Sequence, residues 1–317
     1  MMKAAIAERD VVTGAVATHA RAESVVAAVP SRLGDYLELT KPRIAVMALF
    51  TVAAGYLLGA GGAPEFRVLL NALVGSALVA AGGSALNQLM ERHSDARMRR
   101  TANRPLPGGR LSAEEVAIVG AVLSGTGLAY LLATVSIAAT IAAGLTFALY
   151  VLVYTPLKTL TAWNTIVGAI PGALPPVIGW CAARGWEGGL GASALFLILF
   201  VWQVPHFLAI AWMYREEYAR AGLRMLPGSD PGGRTTSAVM LLTAAALVPA
   251  GLLPVAAGIG GRSYGIGAAM LALLFFRQTL NFARDRGDAQ ARRVLHASLL
   301  YLPGVFGLLL VDALLLK

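Results

Sequence analysis

Residues 87–110 form a dense cluster of polar side chains directly after about twenty almost uncharged residues. Asn87, Glu91 and Asp95 are spaced four residues apart, so on a helix they fall within a sector of about 80°. Two carboxylates and an amide on one helical face can hold a hard divalent cation such as Mg²⁺. The same stretch contains six arginines, and guanidinium groups beside a bound cation suit a diphosphate. The cluster therefore predicts a Mg²⁺ site that binds a diphosphate group.

The elements that carry this cluster are predicted to be membrane-spanning helices. Hydrophobic residues make up 57% of the chain and charged residues 14%, far below the ~25% charged residues of a soluble domain. The apolar runs are long enough to cross a bilayer, which takes about 20 residues. We predict an all-α polytopic membrane protein with about nine helices around a central cavity. The predicted spans are 44–62, 68–90, 116–135, 137–157, 163–183, 190–214, 236–260, 264–283 and 294–316.

The basic residues are distributed unevenly between the two sides of the predicted membrane protein. With the N-terminus inside, the inner segments carry 22 of the 26 Lys and Arg residues, as the positive-inside rule requires. The net charge of +9 is therefore assigned to topology and anionic ligands, and nucleic acid is not an expected partner. The N-terminus is predicted to be cytoplasmic.

The N-terminal region and the single cysteine add little chemistry. Residues 1–31 are predicted to be a disordered cytoplasmic tail, and residues 32–317 a single transmembrane domain. The segment from Arg32 to Arg43 is predicted to lie at the membrane surface, with Pro42 starting the first span. Cys181 is the only cysteine, which excludes an internal disulfide.

A second charged loop, within residues 213–235, resembles the first in its order of features. It carries Tyr214, Arg215 and Glu217 and continues through arginines to a Pro-Gly turn. A parallel repeat of four-helix halves would bring the two loops face to face over the cavity. A solvated surface run of charges is the alternative interpretation.

Three further stretches have residue types that could contact a substrate. Lys158 is the only cation in a tight inner turn that runs on to Asn164, and it suits a phosphate contact, although a membrane anchor is the alternative. Gln203 and His206 are three residues apart in an apolar helix, where a histidine satisfied by its neighbours is the alternative. The proline-rich run 170–176 must distort the fifth span near the middle of the bilayer.

Together these motifs resemble the UbiA-type intramembrane prenyltransferases. The pattern of Asn87, Glu91 and Asp95, followed by the stretch 98–110, is similar to the first aspartate-rich motif of that family. The stretch 98–110 and the Trp-Gln-Val-Pro-His-Phe string at 202–207 resemble the branch that farnesylates protoheme. The chain departs from the common pattern at Glu91, where aspartate is more usual, and in the second loop, where glutamates replace a pair of aspartates.

The resemblance implies a Mg²⁺-dependent transferase in the bacterial cytoplasmic membrane. It implies farnesyl diphosphate and protoheme IX as substrates, heme as a substrate and not a cofactor, and a heme A-forming enzyme as a further partner. Asn87, Glu91, Asp95 and Glu217 would be the catalytic and metal-binding residues. The remaining expected substrate-binding residues are Arg100, Arg104, Lys158, Asn164, Gln203, His206, Tyr214 and Arg215.

Two rival hypotheses stay open from the sequence. A UbiA-type enzyme with an aromatic or quinone-precursor acceptor would share the first motif but not the string at 202–207. A secondary transporter would also have broken helices, but such proteins place their binding residues near the bilayer midplane. Here the acids lie at the cytoplasmic edge of the predicted second span.

Overall fold

The computed structural model describes residues 31–315, with side chains to residue 313, and this part of the chain is helical. Residues 1–30, which hold most of the predicted tail, lie outside the described residues. The helices are α1 (Arg32–Leu39), α2 (Pro42–Ala60), α3 (Phe66–Asp95), α4 (Ala113–Thr134), α5 (Ile137–Ala148), a π-helical segment (Leu149–Tyr154), α6 (Thr155–Leu160), α7 (Asn164–Ala173), α8 (Pro175–Arg184), α9 (Gly189–Met213), α10 (Arg215–Arg220), α11 (Leu226–Ser229), α12 (Arg234–Ala256), α13 (Arg262–Arg284) and α14 (Asp288–Leu315).

Nine stretches of the described chain are long and apolar enough to cross a membrane, which confirms the predicted number. Seven of them are single helices. The fourth consists of α5, the π-helical segment and α6, and the fifth of α7 and α8. As predicted, the first span begins at Pro42, and the proline-rich run divides the fifth span, between Ala173 and Pro175.

α9 is the central helix of the bundle. About 67% of its most hydrophobic stretch is buried, against 28% for α4 and for α13. It packs against α7, α12 and α14, and α14 in turn touches α2. This arrangement surrounds α9 with helices from both ends of the chain, so residues on α9 can bridge distant parts of the sequence.

Glycines bring α2 and α8 into direct backbone contact. A Cβ at Gly55 would lie 2.0 Å from the carbonyl oxygen of Pro176, and one at Gly179 would lie 1.9 Å from that of Val52. No side chain larger than hydrogen fits at either place. This contact fixes the first span against the second half of the broken fifth span.

The fourth span is not the regular helix that the sequence predicts. Its middle is a π-helical segment, and Pro156 begins the α-helix that follows. Thr155 Oγ1 donates a hydrogen bond to the carbonyl oxygen of Tyr150 at 2.8 Å, so a side chain takes part in the wider turn. π-Helical turns often occur at functional sites, and this one directs Thr155 and Lys158 towards α3.

Candidate active site at the end of the second span

The candidate site is built on the last three turns of α3, where Asn87, Glu91 and Asp95 lie on one face as predicted. Asn87 and Asp95 are each only 1% exposed, and Glu91 is half-buried. Amide and carboxylate groups at this depth need partners, because an unpaired polar group in an apolar bundle is costly.

Each of these three side chains is paired with one cation. Lys41 Nζ donates to Asn87 Oδ1 at 3.0 Å. Lys158 Nζ lies 2.6 Å from Glu91 Oε1, and Arg104 Nη1 donates to Asp95 Oδ2 at 2.7 Å. The cations come from three separate parts of the chain, so the fold itself assembles the basic lining. Arg104 and Lys158, both predicted to bind substrate, lie here beside the acids.

Asp95 also has an oxygen that accepts no hydrogen bond. Its Oδ1 is buried and has no hydrogen-bond partner among the described side chains and backbone. A buried carboxylate oxygen of this kind is rare without a ligand, and a hard cation would satisfy it. Among the described residues, no three acidic, histidine or cysteine side chains are arranged so that they alone could hold a metal ion. A Mg²⁺ ion would therefore use two carboxylates, the Asn87 amide, water and substrate oxygens, a mixture that Mg²⁺ commonly takes.

Lys41 is the residue of this site that sequence analysis missed. It connects α1 to α2 with a left-handed backbone, φ 47° and ψ 58°, and is the only non-glycine residue with positive φ in the described chain. Burial, together with the nearby Arg104 and Lys158 cations, lowers the pKa of Lys41 to about 7. Strained backbone conformations cluster at functional sites, and this one places the lysine amine on the amide of Asn87. In the sequence, Lys41 looks like any other positive-inside anchor.

The π-helical segment and the start of α6 form another side of the site. Asn87 Nδ2 donates to Thr155 Oγ1 at 3.1 Å, and the Lys158 ammonium lies 4.7 Å from the centre of the Tyr154 ring. The Tyr150 and Tyr154 rings stack with their centres 6.0 Å apart. This side therefore presents a hydroxyl, a cation and two aromatic rings beside the triad of Asn87, Glu91 and Asp95.

The two charged loops meet, as the sequence predicted. The Arg100 guanidinium lies 5.0 Å from the centre of the Tyr214 ring, and Arg100 Nη2 donates to the hydroxyl of Tyr218 at 3.1 Å. Arg100 therefore joins the loop after α3 to the region around α10. Tyr218 belongs to the same charged stretch as Tyr214 but was not among the expected substrate-binding residues.

Arg215, another predicted residue of the second loop, has its partners away from the α3 site. Arg215 donates to Asp288 Oδ1 at 2.8 Å and to the carbonyl oxygen of Trp212 at 2.7 Å, which ties it to the start of α14. Glu217 is half-buried in α10 and does not form a three-acid cluster with Glu91 and Asp95 in the described structure.

Asn164 and Gln203 both bind backbone carbonyls. Asn164 Nδ2 donates to the carbonyl oxygens of Thr161 and Arg224, each at 2.6 Å. Gln203 Nε2 donates to the carbonyl oxygens of Leu199 at 3.0 Å and Ala169 at 3.3 Å. Asn164 joins the turn before α7 to the loop after α10, and Gln203 joins α9 to α7.

His206 faces a different helix from Gln203, although the two are three residues apart. Its Nδ1 lies 2.7 Å from Ser298 Oγ on α14, and its ring stacks on that of Trp202 with the centres 4.9 Å apart. At 1.5 Å per residue, His206 lies about 12 Å deeper along α9 than Tyr214. It is therefore separated from the charged loops along the helix.

Comparison with known proteins places these features in a family. The model of the UbiA prenyltransferase family matches residues 48–300. The chain is 45% identical to the protoheme IX farnesyltransferase of Solibacter usitatus over 289 residues, covering 88% of this chain and 98% of that protein. It is also 45% identical to the protoheme IX farnesyltransferase of Salinibacter ruber, covering 88% and 99% of the two chains.

Solved structures agree in fold. A structure of digeranylgeranylglyceryl phosphate synthase superposes with a TM-score of 0.75 at 20% identity, covering 89% of this chain and 98% of that one. A UbiA homolog from Archaeoglobus fulgidus bound to DMAPP and Mg²⁺ gives a TM-score of 0.59 at 18% identity, covering 87% and 99%. At these identities the likeness shows the shared fold.

Proposed function

Since the chain belongs to the UbiA prenyltransferase family, we propose that it transfers a farnesyl group from farnesyl diphosphate to a vinyl group of protoheme IX. The products are heme O and diphosphate. One observation carries the reaction class: each of the three α3 ligands is paired with a cation from another part of the chain. The acceptor follows from the near full-length relatives that are named protoheme IX farnesyltransferase.

Asn87, Glu91 and Asp95 fit a Mg²⁺ ion. The buried and unpartnered Asp95 Oδ1 supports this assignment, because a carboxylate oxygen in that position needs a cation or a donor. When bound, Mg²⁺ would neutralise the diphosphate and stabilise negative charge on the leaving group. Glu217, on the second loop, is proposed to approach the same diphosphate from the other side, directly or through water.

The cations that now contact the α3 ligands would bind the phosphate oxygens. Lys41, Lys158 and Arg104 each lie within 3.0 Å of an acid or amide oxygen. If Mg²⁺ binds those oxygens, the three basic groups become free to bind an anion. Arg100 on the first loop, together with Tyr214 on the second, would also bind the diphosphate, because one guanidinium group can donate two hydrogen bonds to phosphate oxygens. This preorganised positive charge stabilises the leaving group as its charge develops.

The reaction that these groups support is an ionisation followed by carbon–carbon bond formation. The C1–O bond of farnesyl diphosphate breaks, and its electron pair leaves with diphosphate. Electrons of the heme vinyl group then form a bond to C1, and a water molecule adds to the resulting cation and loses a proton. The Tyr150 and Tyr154 rings beside the site favour the allylic cation, because an aromatic face attracts positive charge.

The acceptor is expected deeper in the bundle than the diphosphate. His206, about 12 Å below Tyr214 along α9, is proposed to contact the tetrapyrrole, while Asn164 and Gln203 support the site through the backbone contacts described above. A UbiA-type enzyme with an aromatic or quinone-precursor acceptor is the remaining alternative. The family membership and the named relatives identify an enzyme, so the transporter hypothesis is not retained.

The rate of diphosphate release distinguishes between the two candidate acceptors. Purified protein with Mg²⁺ and farnesyl diphosphate should release diphosphate at the catalytic rate when protoheme is added. An aromatic acid such as 4-hydroxybenzoate should leave the rate at the level without acceptor, and chelation of Mg²⁺ should abolish release. Faster release with the aromatic acid than with protoheme would contradict the proposed acceptor.

We also propose the setting in which the reaction takes place. The described chain is that of a multi-pass membrane protein, and we place it in the bacterial cytoplasmic membrane with its N-terminus inside, on the distribution of basic residues. Both substrates are largely apolar and partition into lipid. A heme A-forming enzyme, which would use the product, is the proposed protein partner.

A further inference from the structure

The environment of His206 specifies which of its ring nitrogens carries the proton. Ser298 Oγ lies 2.7 Å from His206 Nδ1 and 2.6 Å from the carbonyl oxygen of Leu295. Ser298 is fully buried, at 0% exposure. Its hydroxyl therefore bridges a histidine on α9 and a backbone carbonyl on α14.

Proton counting assigns the direction of both hydrogen bonds. A hydroxyl has one proton to donate and lone pairs with which to accept. The Leu295 carbonyl can only accept, so the Ser298 proton points to Leu295, as is common for a serine inside a helix. Ser298 Oγ must then accept from His206 Nδ1–H. A neutral ring that carries its proton on Nδ1 has a lone pair on Nε2.

Two aromatic contacts fix the plane of the same ring. The Trp202 ring stacks on His206 at 4.9 Å, and the edge contact with Phe207 is at 5.2 Å. Trp202 Nε1 also donates to the carbonyl oxygen of Ser298 at 2.8 Å. Trp202 and Ser298 thus hold each other as well as the histidine, so the ring is fixed in orientation and in tautomer.

We propose that Ser298 is a positioning residue that presents His206 Nε2 as a ligand to the iron of protoheme. This inference rests on the proposed acceptor and names how the chain recognises it. Histidines that bind metals usually donate their other N–H to a fixed acceptor, which selects the tautomer and orients the ring. Ser298 supplies that acceptor here. The motif at 202–207 does not indicate a role for Ser298, which lies 92 residues after His206 in the chain.

The tautomer can be measured without any substrate. Nitrogen-15 NMR of the histidine-labelled full chain in detergent, with the His206 signal assigned by His206→Gln, should show Nδ1 protonated and Nε2 unprotonated. In Ser298→Ala the His206 signals should move to the other tautomer or to an average. Unprotonated Nδ1 in the wild-type chain, or unchanged signals in Ser298→Ala, would overturn the inference.

Heme binding tests the role of the lone pair. Without farnesyl diphosphate, Ser298→Ala should weaken protoheme binding about tenfold and shift its absorption spectrum. Its affinity for metal-free protoporphyrin IX should not change, and Ser298→Thr should restore both heme properties. Thr279→Val is the matched control, because Thr279 is equally buried and its hydroxyl donates to the carbonyl oxygen of Phe276 without a histidine.

The outcomes separate this inference from the proposed function. Equal losses for protoheme and metal-free protoporphyrin in Ser298→Ala would indicate a packing defect and contradict the positioning role. A wild-type heme spectrum in Ser298→Ala, in a chain that still farnesylates heme, would contradict the inference alone. Failure of the wild-type chain to bind protoheme, with the Nδ1–H tautomer present, would instead contradict the proposed acceptor.

Discussion

At the scale of residues, the candidate site consists of polar side chains on α3 that are each paired with a basic side chain. A bound substrate would replace these contacts. Three oxygens on α3 contact three cations, and this pairing keeps buried charges from being isolated before ligands bind. Only Glu91 and Asp95 carry negative charge, because Asn87 is a neutral amide, so the three basic groups leave an excess of positive charge that suits an anion. A metal ion and a diphosphate together would take over these contacts and keep the buried charges paired.

The two acids of the triad should be required for turnover. Glu91→Gln and Asp95→Asn each remove one charge from the metal site without changing the side-chain volume. Each should lower the rate by about 100-fold or more and raise the Mg²⁺ concentration needed for half-maximal activity, with the chain still folded in detergent. Steady-state assays over a Mg²⁺ titration measure this. Wild-type activity at limiting Mg²⁺ in either variant would remove that residue from the metal site.

Lys41 should contribute to the reaction more than to stability. Lys41→Met removes the ammonium from Asn87 and should lower kcat by about 100-fold. Lys41→Gly should lose the same activity but melt at a higher temperature than Lys41→Met, because glycine adopts positive φ without strain. Parallel kinetics and thermal unfolding of the two variants test this. A fully active Lys41→Met would show that the amine is only an anchor.

At the scale of elements, the working parts are places where helices break or change register. The π-helical segment leads into α6, whose Thr155 and Lys158 reach the site, and the left-handed turn at Lys41 brings an amine there. Regular spans supply the rigid support on which these irregular pieces are held. The contact of Gly55 with the backbone of Pro176 is one such support.

Substitution at that helix contact should destabilise the protein. Gly55→Ala forces a methyl group against a carbonyl oxygen at 2.0 Å, and overpacking of this kind costs about 1–3 kcal/mol. Gly125→Ala is the matched control, because a Cβ there meets nothing within 4 Å. Thermal unfolding in detergent should show a lower midpoint for Gly55→Ala alone. Equal midpoints would mean that α2 and α8 can separate at no cost.

Comparison of sequence and structure shows what a pattern can predict. Hydropathy predicted the nine spans, prolines predicted the break after Ala173, and four-residue spacing predicted the α3 face, because each depends on local sequence. The π-helical segment was missed because hydropathy does not distinguish a π-turn from an α-turn. Lys41 was missed because its role depends on a contact with Asn87 on α3, 46 residues further along the chain. The pairing of Arg215 with Asp288 was missed for the same reason.

At the scale of the whole molecule, the charged loops and the paired cations lie at one end of the bundle. Arg100 links the two loops, so the diphosphate would be bound at that end and the acceptor deeper inside. The distribution of Lys and Arg supports the proposal that this end faces the cytoplasm. The source of farnesyl diphosphate would then be the cytoplasm as well.

Cysteine labelling tests this orientation. In a Cys181→Ala background, single cysteines at Asn103 and Ser229 should resist an impermeant thiol reagent added to intact cells, and one at Ala63 should react. All three positions are exposed. Labelling of Asn103→Cys and Ser229→Cys from outside, with Ala63→Cys protected, would reverse the assigned topology.

The mass of the product tests the central claim most directly. Purified protein, Mg²⁺, farnesyl diphosphate and protoheme should be incubated in ¹⁸O-labelled water, and the pigment analysed by mass spectrometry, with Glu91→Gln as the inactive control. The account predicts a heme that has gained one farnesyl group and one ¹⁸O-labelled hydroxyl, with one diphosphate released per heme. Two results would contradict the account. One is unmodified heme from a folded chain that releases diphosphate, and the other is a farnesylated heme without the labelled oxygen.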